Sequence, residues 1–408
     1  VTRAFRLLVA GRAVDTFGNA FAPIALAFAV LDLTGRAGDL GLVVGVRTVC
    51  NVAFLLFGGV LADRLPKNLL MVGANLVAAL TQGAIATLVL THAATIPALI
   101  GLSAVNGAVA ALAMPASAAL LPRTVAADYR QRAIAISRLS FSGAMIIGAP
   151  LAGVVVAAVG PGWGIVVDAG TFLISAGIFA LIRVPAADTP APARAGVLLE
   201  LRTGWSEFRA HTWLWVVVVG ACVTNLAWSG ATHVLAPALA DVTIGRRAWG
   251  LVLAAQTAGM IAGGLLAMRL RLRRFLRYGV LALFAMAAPL IVFGLSPHLV
   301  PLAGAAFLAG VGLEQFSVAW ETSMQEHIPA DRLARVYSYD MVGSFIAVPI
   351  GEMAVGPIAD HVGLRPALLG CAGVLVAGLL GMLISSDVRT LRHRLPRGEP
   401  GHVEESVP

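Results

Sequence analysis

Lysine is almost missing from this chain: of its 29 Lys+Arg residues only Lys67 is a lysine. Charge of either sign is scarce. Charged residues make up 12% of the 408 positions, against about a quarter in a soluble domain. A soluble chain of this length needs far more polar surface to cover itself. Cysteine is also scarce. Cys50, Cys222 and Cys371 stand far apart inside apolar runs, which excludes a secreted disulfide scaffold. There is no metal-ligand spacing, no Gly-x-x-x-x-Gly-Lys-Ser/Thr phosphate loop and no catalytic-triad context. Those absences argue against a membrane enzyme and against a pump that hydrolyses ATP, so neither metal nor cofactor is expected.

What is present is apolar. Hydrophobic residues make up 59% and mean hydropathy is +0.87, which excludes disorder. The composition is that of an all-α polytopic membrane protein. Runs of spanning length fall near 8–32, 40–62, 69–91, 96–121, 139–160, 164–183, 213–240, 248–268, 278–297, 300–325, 339–360 and 366–385, which predicts 12 transmembrane helices. Arg12 and Asp15 interrupt the first run, so a retained helix is expected there rather than a signal peptide. The Arg, Ala and Gly bias suggests a GC-rich bacterial genome and hence a bacterial cytoplasmic membrane.

The net charge of +8 could suggest a nucleic-acid partner, but its distribution argues otherwise. With the N-terminus inside, 23 Lys+Arg fall in inner segments and 4 in outer loops. That asymmetry places both termini in the cytoplasm. The longest connection, 184–212, opens Pro/Ala-rich. It then spaces Leu198, Leu201, Trp205 and Phe208 at a helical period, either an interfacial amphipathic helix or a disordered linker. It separates an N-terminal six-helix bundle (1–183) from a C-terminal one (213–385), with a polar tail at 386–408. The halves match weakly. GGVLADRLPKN from Gly58 pairs with GGLLAMRLRLR from Gly263, Asp128–Arg132 with Asp331–Arg335, and Val159-Gly160 with Val362-Gly363. The order and near-constant offset predict a six-plus-six duplication around a shared cleft.

Several motifs carry a resemblance. The loop after the second run has Gly59, Asp63, Arg64, Pro66, Lys67 and Asn68. It resembles the signature of the major facilitator superfamily, in which this loop acts as a cytoplasmic latch against the eleventh helix. An acid at a helix C-terminus is unfavourable with the dipole and needs a partner. Pro66 and Asn68 depart from the family's pattern, so a stiffer and less charged latch is expected. The fifth run carries Gly148, Pro150 and Gly153. This partly matches the family's antiporter motif, and plain helix packing is the other reading. Longer stretches resemble the twelve-helix bacterial drug and siderophore exporters related to macrolide-efflux and enterobactin-export proteins. Among them are FRLLVAGRAVDTFGNAFAP from Phe5 and MPASAALLP from Met114. The resemblance implies the major facilitator fold in two six-helix bundles, and a monomer exporting small amphipathic molecules by proton antiport. In many proton-driven exporters an arginine stands three residues before a polar-Gly pair in the fourth helix. Here Ser103 occupies that place, before Asn106-Gly107.

An ionisable residue at mid-membrane costs roughly 2.5–3.5 kcal/mol. Asp15, Arg47, Glu314, Glu321 and Glu352 are therefore candidates for proton or ion coupling, or for structural salt bridges between helices. Arg12 and Asp168 are read as structural. Phe17, Asn19, Phe21, Asn225, Trp228, His233, Gln256, Gln315 and Trp320 are candidates for the substrate cavity, or for packing. An importer or facilitator of the same fold is the alternative function. A receptor reading calls for a large soluble domain, and the connections between runs are short.

Overall fold

The computed structural model describes residues 2–64, 67–126, 129–182, 205, 206, 208–270 and 272–393. Within those helices the side chains of 55–64, 67, 114–119, 122, 123, 130, 131, 134, 135, 138, 330, 331, 334 and 335 are outside the description. All regular structure among the described residues is helical, and 12 helices are long and apolar enough to cross a membrane. In chain order they are α1 (Arg3–Thr34), α2 (Ala37–Arg64), α3 (Lys67–Leu90), α4 (Ile96–Thr124), α5 (Arg130–Val159), α6 (Pro161–Ala180), α7 (Thr212–Asp241), α8 (Arg246–Ala267), α9 (Phe275–Leu295), α10 (Leu299–His327), α11 (Ala330–Phe345, then Val348–Val362) and α12 (Leu364–Ile384). A short helix, α13 (Ser386–Thr390), follows. The apolar runs find every helix and misplace some ends. For example, α5 starts at Arg130, well before its apolar run at 139, because the helix includes the polar turns that precede that run.

Four helices are broken, and proline explains each break. A proline cannot donate to the carbonyl four residues back, and its ring crowds that carbonyl. In α1 the first segment ends at Asn19, four before Pro23. In α7 a π-helical segment, Ala231–Leu235, surrounds His233, four before Pro237. In α9 a 3-10 turn, Phe284–Met286, surrounds Ala285, four before Pro289. In α11 the first segment ends at Phe345, four before Pro349.

The matched Val159-Gly160 and Val362-Gly363 also share a backbone conformation. Gly160 precedes α6 with φ 92° and ψ 164°, and Gly363 precedes α12 with φ 92° and ψ 156°. Only glycine enters that region readily. Within the first half α2 packs on α4, and α3 and α1 pack on α6; within the second, α8 packs on α10 and α7 on α12. The seam between halves is made by α5 with α8 and α2 with α11. Glycines let the backbones meet there. Gly153 lies against Arg246 and Gly250, Gly41 against the Glu352 carbonyl, and Gly356 against Ala37 and Gly38. These contacts lie toward the end that the charge distribution assigns to the outside.

Candidate functional site

A cavity of about 460 Å³ opens inside the first half. Its walls follow the helical period. Arg12, Asp15, Thr16 and Asn19 come from one face of α1 at i, i+3, i+4 and i+7. Met71, Ala74, Asn75 and Ala78 repeat that spacing on α3, and Asn106, Val109, Ala110 and Ala113 on α4. Arg47 and Asn51 come from α2, while Phe141, Met145, Phe172 and Phe179 supply an apolar wall from α5 and α6. A polar arc facing aromatic and methionine side chains suits an amphipathic small molecule.

The arc is held by hydrogen bonds between helices. Arg47 Nε donates to Asn106 Oδ1 at 3.2 Å, and Asn106 Nδ2 donates to Thr81 Oγ1 at 3.4 Å. Asn51 Nδ2 donates to the Gly107 carbonyl at 3.1 Å. Asn19 Nδ2 donates to the Asp15 carbonyl at 2.9 Å, within α1. Behind the arc Asp168 is fully buried. It accepts from Gln82 Nε2 at 2.7 Å, and its Oδ1 has no hydrogen-bond partner among the described residues. Arg12 and Asp15 act on each other electrostatically. The carboxylates acting on Arg47 are Asp168, from its own half, and Glu352, from the other.

Glu352 lies at the seam. It is 1% exposed, and its Oε1 is 2.6 Å from His233 Nδ1. Its Oε2 is buried without a partner among the described residues. His233 is half-exposed and sits on the π-helical segment of α7, a local form often found at functional positions.

The structure thus gathers Asp15, Asn19 and Arg47 around one cavity and joins Glu352 to His233. The other sequence candidates sit elsewhere. Glu314 is half-buried against Gly263 and Gly264 of α8, and Glu321 is exposed on α10; both take part in further contacts. Phe17 meets Phe21 with ring centroids 5.2 Å apart, and Phe21 is in the core. Asn225 Nδ2 donates to the Ser344 carbonyl at 2.9 Å. Gln315 is buried and donates to the Gly263 carbonyl at 2.6 Å. Trp320 is buried and donates to Asp340 Oδ2 at 3.0 Å. Trp228 packs half-buried against the core, and the Gln256 carbonyl lies against Gly310. Gly148 lies against Phe17 and Ala20 of α1, and Gly153 against α8 of the other half. Pro150 is carried inside α5. The side chains of Gly59, Asp63, Arg64 and Lys67 lie outside the described residues, as does most of the 184–212 connection.

Sequence reasoning did not bring forward Asn51, Asn75, Gln82 or Asp340. Asn51 falls one turn after Arg47 on the same face of α2, and that spacing was the available signal; Asn75 shares its face only with Met71, Ala74 and Ala78.

Comparison with known proteins adds the family. Residues 8–352 match the model of the Major Facilitator Superfamily. The chain belongs to that superfamily. It is therefore a multi-pass membrane protein of a transporter family. It is 21% identical to the uncharacterized MFS-type transporter YfiS of Bacillus subtilis (strain 168), covering 97% of this chain and 96% of that one. Its fold is similar to that of a bacterial homologue of the human lysosomal transporter Spinster, in an inward-facing and occupied conformation. There the TM-score is 0.73 at 14% identity, over 95% of this chain and 96% of the other. It is also similar to the nucleoside transporter NupG, with a TM-score of 0.69 at 12% identity, over 94% of this chain and 98% of the other.

Proposed function

We propose that this superfamily member is a secondary active transporter that exports small amphipathic molecules across a bacterial cytoplasmic membrane. It does so by alternating access, in exchange for protons. It works as a monomer of two six-helix bundles (1–183 and 213–385) joined by the 184–212 connection, with both termini in the cytoplasm. The drug and siderophore exporters are its functional branch. The carrying observation is the cavity of about 460 Å³ in which Arg12, Asp15 and Arg47 face an aromatic and methionine wall. Ionisable groups at mid-membrane are costly, and those that persist mark substrate or ion pathways. Support for export comes from the Gly148–Pro150–Gly153 resemblance and from the placement of Gly153 on the seam. Support for proton coupling comes from Asp15 in the cavity wall and from Glu352, on the other half, acting on Arg47 across the seam. Glu314 and Glu321 are the remaining coupling candidates.

The test uses inverted membrane vesicles containing the chain, with an acidic lumen and a fluorescent amphipathic dye outside. Exporter activity by antiport is accumulation of dye in the lumen that stops when the pH gradient is collapsed. Accumulation only in right-side-out vesicles would instead identify an importer.

A further inference from the structure

Two segments far apart in sequence meet at one end of the second half, where α8, α9 and α12 leave the membrane. The first is the α8–α9 connection with the first turn of α9, where Arg269, Arg273, Arg274 and Arg277 are exposed. The second follows α12 and exposes Arg389 and Arg392. None of the six makes an ion pair among the described residues. The segments are fastened together. The His393 backbone N–H donates to the Arg273 carbonyl at 2.9 Å. The His393 ring lies 5.6 Å from that of Phe275, and its Nδ1 is 2.7 Å from Glu326 Oε1. Val388 of α13 is fully buried and Leu391 packs against the core. The second segment is thus a strap bound to the bundle, with its arginines turned outward. The only exposed carboxylate on the two segments, among the described residues, is Asp387.

The surface beside this basic patch is apolar. Leu265 and Met268 at the end of α8, and Ile384 at the end of α12, are 56%, 76% and 79% exposed. Guanidinium groups above exposed aliphatic side chains match the order of a lipid, headgroup above acyl chain. We propose that the α8–α9 connection and the post-α12 strap form a binding site for anionic phospholipid headgroups. Arginine forks are suited to phosphate oxygens, and clustered juxtamembrane arginines attract anionic lipid. The continuity with the apolar surface selects a lipid over a free phosphate.

The experiment is native mass spectrometry of the purified full chain titrated with dioleoyl phosphatidylglycerol or dioleoylphosphatidylcholine. The expected result is about fivefold or greater preference for the glycerol lipid, lost in the variant combining Arg273→Gln, Arg277→Gln, Arg389→Gln and Arg392→Gln. A control variant, Arg3→Gln with Arg6→Gln, should keep the preference. His393→Ala, which loosens the strap without removing an arginine, should lower it. Inorganic phosphate added in excess should not displace the lipid. Three results would each overturn the proposal: an unchanged preference in the four-arginine variant, equal loss in the Arg3/Arg6 control, or displacement by phosphate. If the four-arginine variant does not fold, Arg277→Gln and Arg389→Gln made singly are read the same way.

Discussion

Arg246, the first residue of α8, holds Asp32 of α1 across the seam between the two halves. Its Nη1 donates to Asp32 Oδ2 at 3.0 Å, and Nη2 completes the bidentate pair with Oδ1. The same guanidinium donates from Nε to Asp241 Oδ1 at 2.8 Å and stacks 4.7 Å over the Phe28 ring. One side chain therefore ties the ends of α1, α7 and α8 together. Arg36 and Asp360, 3.9 Å apart, add a looser tie between the α1–α2 connection and α11.

Neutralising this latch should favour opening at that end. Asp32 is partly exposed, so screening limits the pair to about 1 kcal/mol, roughly a fivefold change in population. Met353 of α11 packs against Gly45 of α2 on the seam, and Asp32→Asn should raise the labelling rate of a cysteine placed there, in a background lacking Cys50, Cys222 and Cys371, by about that factor. An unchanged labelling rate would mean that the pair does not hold the seam.

The seam glycines give a steric prediction. A Cβ on Gly250 would lie 2.6 Å from the Ala149 carbonyl and close to Gly153. Gly250→Val should therefore prevent α5 and α8 from meeting. Transport should be lost, while the protein still folds and the Met353 position becomes more accessible. A variant that transports at the normal rate would show that this contact is not needed in the cycle.

Glu352 and His233 give a prediction about stability. Glu352 is buried while His233 is half-exposed, so removing the ring strands a buried carboxyl and costs more than neutralising that carboxyl. His233→Leu should destabilise the protein by about 1–2 kcal/mol. Glu352→Gln keeps an amide against the ring and should cost less. Thermal melting of the two variants in one detergent checks the order; a lower melting temperature for Glu352→Gln contradicts it.

Much of this architecture is legible in the sequence for physical reasons. Spanning length and charge asymmetry follow from the bilayer as solvent. The helix breaks each fall four residues before a proline, namely Pro23, Pro237, Pro289 and Pro349, yet Pro150 stays inside an unbroken α5, so a proline alone does not fix a break. The site is less legible. Gln315, Trp320 and Asn225 look like cavity residues in sequence, yet they hydrogen-bond to neighbouring helices. A polar residue in an apolar run has the same signature whether it serves packing or substrate. The joining of His233 to Glu352, 119 residues apart, and of Gln82 to Asp168, 86 apart, depends on which helices are neighbours. Periodicity within one helix does not contain that information.

In the proposed antiport cycle, acids between or within the two halves exchange protons as the protein moves its substrate. Its most direct test is proton flux in proteoliposomes, recorded with a pH-sensitive dye while an amphipathic substrate is added. Wild type is compared with Asp15→Asn, Glu314→Gln, Glu321→Gln and Glu352→Gln. Antiport predicts substrate-dependent proton movement in wild type. It also predicts loss of that movement in at least one variant that still exchanges labelled for unlabelled substrate. Undiminished coupling in all four would contradict it.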